Sequence, residues 1–283
     1  MPLKQLLTQL TAQFEAAGIE SAQADAELLV ADVLNCGRGE LAVKIITGEP
    51  ISEQQQTTIE ELAAKRAERV PLQHLTGKAY FRNLELSVGP GVFVPRPETE
   101  QVAQLAIDAL KSVALAEPIA IDLATGSGAI ALSLATEVSY AKVYAVELSD
   151  DAIGYTRKNF ERWAPDAELR QGDLSVAFDD LAGQVDVLIS NPPYIPEDMV
   201  PIYPEVHLHD PKLALYSGKD GLDLIRVISK RGLMLVKPGG TLVIEHADPQ
   251  SQAVREILEA DGWRQVRAHR DFNLRDRAVS AIR

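Results

Sequence analysis

From Ile119 to Ile282 short apolar runs alternate with segments of helical periodicity, and this alternation constrains the fold more than anything else in the chain. The runs Ile119 to Leu123, Val143 to Val146, Val185 to Ser190, Thr241 to Glu245 and Ala278 to Ile282 read as strands, with a weaker one at Glu168 to Arg170. Helical spacing occupies Ala129 to Thr136, Leu222 to Leu235, a stretch capped by Ser149 and running to about Trp163, and another capped by Asp248-Pro249 and running to Ala260. Lys237-Pro238-Gly239-Gly240 reads as a turn into the Thr241 strand. Such alternation predicts a doubly wound α/β sheet, parallel in its core.

Val185-Asp186-Val187-Leu188-Ile189-Ser190 is β-branched and buried in character, and it stops at Asn191-Pro192-Pro193-Tyr194. Two consecutive prolines forbid both a continuing ladder and an immediate helix, and they hold Asn191 extended. An Asn side chain is therefore expected at the carboxyl end of a central strand, the edge where open α/β sheets bind ligands. A rigid turn whose Asn caps its own backbone accounts for the same four residues.

The first strand of the series ends in Asp122-Leu123-Ala124-Thr125-Gly126-Ser127-Gly128. Glycines there let the backbone turn tightly and approach a ligand beside the next helix N-terminus. The dinucleotide spacing G-x-G-x-x-G is missing, and no Gly-Lys-Ser/Thr follows. A nucleoside ligand without a pyrophosphate fits better. Glu147, at the end of the second strand, can accept both hydroxyls of a ribose; a surface acid near a helix start is the other reading, and the position beside a glycine loop favours the ribose. Asp173, after the third strand, suits either an adenine amine or a plain backbone cap.

Upstream, residues from Leu3 to Arg69 contain no convincing strand. Leu3, Leu6, Leu7, Leu10 and Phe14 recur at helical spacing until Gly18, and Ala24 to Leu34 is a second apolar helix. A short third helix is expected around Glu40 to Ile46, and Ser52 with Gln55 forms a capping box opening a long helix to about Arg69. The expected organisation is a helical domain over residues 1–70, a linker over 71–98 and a larger domain over 99–283. In the linker Ala79-Tyr80-Phe81 and Leu84 to Val88 read as a β-hairpin turning at Arg82-Asn83. Gly89-Pro90-Gly91 is a second turn, and a helix is expected from Thr99 to Lys111 behind Pro95-Arg96-Pro97-Glu98.

The chain has 283 residues, a net charge of −13 and one cysteine, Cys36. A basic stripe for gripping phosphate backbone is not evident, which disfavours a nucleic-acid partner. One cysteine suits a reducing compartment, and neither a membrane span nor a signal-peptide pattern is expected; the location expected is the cytoplasm. His207 and His209 stand in what reads as a proline-rich loop without cysteines and are expected to be structural or surface residues, so no metal is expected.

Taken together, Pro71-Leu72-Gln73-His74-Leu75-Thr76-Gly77, Pro95-Arg96-Pro97-Glu98-Thr99-Glu100, Thr125-Gly126-Ser127-Gly128-Ala129-Ile130-Ala131-Leu132, Ser190-Asn191-Pro192-Pro193-Tyr194-Ile195-Pro196, Asp220-Gly221-Leu222-Asp223 and Lys237-Pro238-Gly239-Gly240 make the chain resemble a family. It resembles the class I S-adenosylmethionine-dependent methyltransferases, and among them the protein-(glutamine-N5) methyltransferases of bacterial peptide-chain release factors. The resemblance runs from about Pro71 to the C-terminus. It implies a Rossmann-like sheet of about seven strands, mostly parallel, with a small all-helical N-terminal domain and a connecting β-hairpin. It implies S-adenosyl-L-methionine as cofactor, S-adenosyl-L-homocysteine as product, no metal, release factors as protein substrates, no direct nucleic-acid or membrane partner, and a monomer.

The cofactor-binding residues it implies are Ala124, Thr125, Gly126, Ser127, Gly128, Glu147, Asp173, Leu174 and Asn191. Asn191, Pro192, Pro193 and Tyr194 would bind the substrate, with Asn191, Pro192 and Tyr194 catalytic. In that role the Asn191 oxygen and the Pro192 carbonyl each accept one amide N–H of a glutamine, while Tyr194 packs on the flat amide and excludes water. Holding reactants in this way is worth roughly 7–11 kcal/mol of a barrier. Three positions depart from the family pattern: Ala124 replaces a glycine, Glu147 stands where Asp is usual, and His246-Ala247-Asp248 replaces a glycine-containing turn. The same Asn-Pro-Pro-Tyr logic serves any planar –NH2 group, so an amino-methyltransferase acting on adenine in DNA or RNA is the alternative. A cofactor-binding adaptor without catalysis is a third.

Overall fold

The computed structural model describes residues 2–283, which form two compact units. The first takes in the chain up to Lys78 together with Pro201–His209, and the second comprises Ala79–Val200 and Asp210–Arg283.

In the first unit α1 (Leu3–Ala16), α2 (Ala22–Val33), α3 (Arg38–Thr47), α4 (Glu53–Ala67) and α5 (Leu72–Thr76) enclose a core of Leu6, Leu10, Phe14, Leu29, Leu41 and Ile59. The expected capping box is present: Gln55 N–H donates to Ser52 Oγ at 3.1 Å and Ser52 N–H to Gln55 Oε1 at 2.9 Å. Helix α5 was not expected; five residues are too few to show a periodicity.

The second unit is built on a seven-stranded sheet. After the hairpin β1 (Lys78–Phe81) and β2 (Leu84–Ser87), and helix α6 (Thr99–Lys111), come β3 (Ile119–Leu123), α7 (Ala129–Glu137), β4 (Lys142–Glu147), α8 (Ile153–Trp163), β5 (Glu168–Gln171) and β6 (Val185–Ser190). Helix α9 (Pro204–His209), six residues within the first unit, follows; then α10 (Asp223–Leu235), β7 (Val236–Glu245), α11 (Ser251–Asp261), β8 (Arg264–Arg270) and β9 (Asp276–Ile282). The sheet order is β5-β4-β3-β6-β7-β9-β8, parallel from β5 to β7 and antiparallel at β9 and β8.

Alternate strand residues feed two apolar layers, as a period of two demands. Val187 and Ile189 join α6, α7 and the hairpin on one face, whereas Leu188 joins α10 and α11 on the other. Every residue of β6 is buried. The strand order reverses between β3 and β6, which opens the crevice that such sheets use for ligands.

Three local expectations change. Lys237 to Gly240 is a bulge inside β7 and not a turn before it, since the β6–β7 register shifts there and a Cβ on Gly240 would meet the Val185 and Asp186 carbonyls at 3.0 and 2.9 Å. Asp248 accepts Asp276 N–H at 2.9 Å instead of capping a helix, and Gln250 Oε1 accepts Ala247 N–H at 3.0 Å. His207 and His209 lie on α9, not in a loop.

Candidate active site

Leu123 and Ser190 are register partners on neighbouring parallel strands, so Ala124 and Asn191 leave the sheet side by side. The Ser190 hydroxyl donates to the Leu123 carbonyl at 2.6 Å and ties the two strand ends together. On the other side Leu123 pairs with Val146, which brings Glu147 to the same edge.

The loop after β3 turns through left-handed conformations at Ala124 (φ 60°), Gly126 (φ 58°) and Gly128 (φ 88°). A Cβ on Gly128 would sit 2.9 Å from the Phe160 ring, so glycine is required there by contact as well as by φ. Gly126 faces open space, with nothing within 4 Å of its Cβ position, and this leaves room for a ligand against the backbone. Beneath the loop Asp122 Oδ2 accepts the Thr125 hydroxyl at 2.6 Å and Ala131 N–H at 3.1 Å. Burial pushes the Asp122 carboxyl up to about 7, against these two hydrogen bonds. Its other oxygen, Oδ1, is buried with no hydrogen-bond partner. Ser127 is held through its carbonyl, which accepts Asn159 Nδ2–H at 2.9 Å.

Ala124 pays for its position in conformational strain, because an L-residue in the left-handed region is disfavoured by roughly 1–2 kcal/mol. Ala124→Gly is therefore expected to stabilise the protein by about 1 kcal/mol, offset in part by the greater freedom of an unfolded glycine. Calorimetry should show Tm rising by about 2–4 °C. A fall in Tm would show that the methyl group makes contacts worth more than the strain.

Glu147 is buried, and both of its oxygens hold backbone: Oε2 accepts Gly126 N–H at 2.8 Å and Oε1 accepts Ser149 N–H at 2.7 Å. A carboxylate offers about four lone-pair sites, so two remain for ligand hydroxyls. The group thus joins the glycine loop to the start of the next segment. Asp173 Oδ1 accepts Ser175 N–H at 2.7 Å, the backbone bond that holds its pKa below the ordinary carboxylate value. Asp173 also lines a concavity with Val146, Gly172, Val176 and Phe178, while Leu174 is buried in the core beside them.

At Asn191 the side-chain Nδ2 donates to Thr99 Oγ1 at 3.3 Å, which leaves Oδ1 as the free end of the amide. Pro192 and Pro193 are buried. The Tyr194 carbonyl accepts Gln250 Nε2–H at 2.8 Å, and Ile195 joins the following strap through Ile195 N–H to the Leu215 carbonyl at 2.8 Å. Gly221, with φ 75°, backs the same turn: a Cβ there would lie 2.2 Å from the Tyr194 carbonyl oxygen. This accounts for the glycine of Asp220-Gly221-Leu222-Asp223. The Tyr194 hydroxyl donates to Glu245 Oε1 at 3.4 Å. Burial pushes Glu245 up to about 7 and raises Tyr194 as well.

Sequence reasoning left Arg96 without a role and passed over Thr99, Glu245 and Gln250. Arg96 pairs with the buried Asp210 and lies over the Phe93 ring at 4.8 Å. Thr99, Glu245 and Gln250 reach the Asn191 turn from elements 92, 51 and 56 residues away from their partners.

One edge of the sheet therefore brings together a glycine loop with open space at Gly126, the Glu147 carboxylate and the partly buried Asn191, whose carboxamide oxygen is chemically suited to accept from an –NH2 group. Among the described residues, no group of three or more His, Cys, Asp and Glu is arranged to hold a metal ion.

Residues 5–77 match the family model of the PrmC N-terminal domain and residues 83–200 that of the methyltransferase small domain. A release factor glutamine methyltransferase of Streptomyces coelicolor is 49% identical over 277 residues, covering 97% of this chain and 96% of that one. A 4-amino-L-phenylalanine/4-methylamino-L-phenylalanine methyltransferase of Streptomyces pristinaespiralis is 35% identical, covering 99% of this chain and 95% of that one. Among solved structures, the hMettl16 catalytic domain in complex with the MAT2A 3′UTR hairpin 6 superposes with a TM-score of 0.57 at 15% identity, over 78% of this chain and 82% of that one. This last likeness bears on the fold alone.

Proposed function

The chain belongs to the release factor glutamine methyltransferase family, and from that premise we propose that it methylates N5 of the glutamine in the Gly-Gly-Gln loop of peptide-chain release factors. It is an S-adenosylmethionine-dependent protein methyltransferase. The cofactor supplies an electrophilic methyl group when bound, and S-adenosyl-L-homocysteine is left. Glu147 would hold its ribose, Thr125 to Gly128 would lie against it, and Asp173 with Leu174 would flank its base. The donor set supports this: a Glu147 carboxylate with lone pairs left beyond its two backbone bonds, and backbone open at Gly126.

The observation that carries the reading is the orientation of Asn191. With Nδ2 donating to Thr99, Oδ1 is the end of the amide left to accept. A glutamine amide nitrogen is a poor nucleophile because its lone pair is delocalised into the carbonyl. Asn191 Oδ1 and the Pro192 carbonyl, each accepting one amide N–H, would fix that nitrogen and turn its lone pair toward the methyl donor. As the methyl group passed from sulfur to nitrogen, the positive charge developing on nitrogen would be stabilised by the two carbonyl oxygens, and the extra N–H proton would be lost to bulk water as the product leaves. Tyr194, pinned through its hydroxyl and its carbonyl, would pack on the amide plane and keep water out.

Flanking glycines let the substrate backbone enter a narrow slot without side-chain clashes. The helical unit would bind the rest of the factor, adding binding remote from the reacting amide. The protein would work as a cytoplasmic monomer without a metal. A folded release factor should be methylated far more efficiently than a short peptide carrying its loop, with mass spectrometry placing a single methyl group on the loop glutamine. Equal kcat/KM for peptide and factor would remove the remote binding, and a methyl group on another residue would remove the glutamine assignment.

A further inference from the structure

We propose that Glu245 and Thr99 are positioning residues that decide which end of the Asn191 amide faces the substrate. The inference rests on Asn191 being the amide-holding residue. An Asn side chain has nearly identical outlines in its two flipped orientations, so shape alone does not choose between them. In the wrong one, an –NH2 would meet the substrate –NH2, donor against donor. The choice has to come from the group at the other end, and that group is Thr99 Oγ1, which Asn191 Nδ2 approaches at 3.3 Å.

A hydroxyl both donates and accepts, so Thr99 would itself be indifferent without a further constraint. Glu245 supplies one. It stands at the carboxyl end of β7, buried; burial pushes its carboxyl up to about 7, while the Thr99 and Tyr194 hydroxyls and Arg277 favour the ionised form. No well-aligned hydrogen bond joins the two in this conformation, and Glu245 Oε2 is left buried without a partner. That vacant acceptor is where a small rotation of the Thr99 hydroxyl delivers its proton. In its ionised form, with Tyr194 O–H already donating to Oε1, the carboxylate only accepts, so Thr99 donates to the vacant Oε2 and turns its lone pairs to Asn191. The polarity then runs one way, from Glu245 through Thr99 to Asn191, and leaves Oδ1 toward the substrate. Tyr194 O–H donates to Glu245 Oε1, so one carboxylate orients both side chains of the turn. Arg277 and Glu98 are the other charges acting on Glu245, with opposite effects.

The test measures kcat, KM for a release factor and cofactor affinity for four variants. Thr99→Val keeps the shape but removes the lone pairs, and it is expected to lower kcat by about 10- to 100-fold with cofactor affinity unchanged. Thr99→Ser, which keeps the hydroxyl, should stay within about threefold of the parent. Glu245→Gln conserves volume yet can donate to Thr99, so it should lower kcat as Thr99→Val does; it decides the matter if Thr99→Val is poorly folded. Asn191→Ala is the control for the underlying reading. Native turnover in Thr99→Val and Glu245→Gln, with Asn191→Ala inactive, overturns the positioning role alone. So does a Thr99→Ser variant as impaired as Thr99→Val, since that pattern reports packing. Native turnover in Asn191→Ala would instead remove the premise.

Discussion

Asn191→Ala is expected to lower kcat by about 10²–10³ while leaving cofactor affinity within a few fold. The substitution removes one of two acceptors that hold the amide, and the loss of one oriented dipole at a developing charge is typically worth about 2.7–4 kcal/mol. The Pro192 carbonyl remains, which is why the loss stops short of abolishing the reaction. Cofactor affinity should change little, because the loop from Ala124 to Gly128 is held by Asp122, Glu147, Thr156 and Asn159 and not by Asn191. Turnover at saturating cofactor and calorimetric titration separate the two quantities. Near-native turnover would mean that the Asn-Pro-Pro-Tyr turn serves only as a scaffold.

Glu147→Ala should act in the opposite sense, weakening the cofactor by about 10²-fold or more while kcat at saturation falls much less. Hydrogen bonds to a charged group contribute about 1.5–3 kcal/mol each, and two ribose hydroxyls would be lost together. The change also strips Gly126 and Ser149 N–H of their acceptor, so the loop itself loosens. Glu147→Gln separates these effects. It retains one acceptor for the loop but presents –NH2 where a second acceptor is needed, and intermediate affinity is expected. Calorimetry giving unchanged affinity for Glu147→Ala would take Glu147 off the ribose.

The parts of the site that were legible in the sequence are those whose chemistry is local. Prolines after a β-branched run, and glycines between a strand and a helix, restrict backbone over a few residues and can be read without knowing the fold. Strands β3 and β6 and helix α6 begin and end where the pattern places them. Strand β8 escaped because Arg264-Gln265-Val266-Arg267-Ala268-His269-Arg270 is largely exposed and has no apolar face to signal.

Long-range partners could not be read at all. Nothing around Thr99 announces Asn191, and nothing around Glu205 on α9 announces Arg66 and Arg69, whose guanidinium groups it meets at 2.9 and 2.6 Å within the helical unit. Ala124 is a different case. Its departure from glycine was visible, but alanine carries no sign of a left-handed conformation, so the strain appears only in the backbone.

The most direct trial of the central claim offers the enzyme equal molar amounts of folded release factor and unmethylated DNA with methyl-labelled cofactor. The account predicts label on the loop glutamine of the factor and none above background in the DNA. Label in adenine amino groups, with the glutamine unmodified, would contradict it.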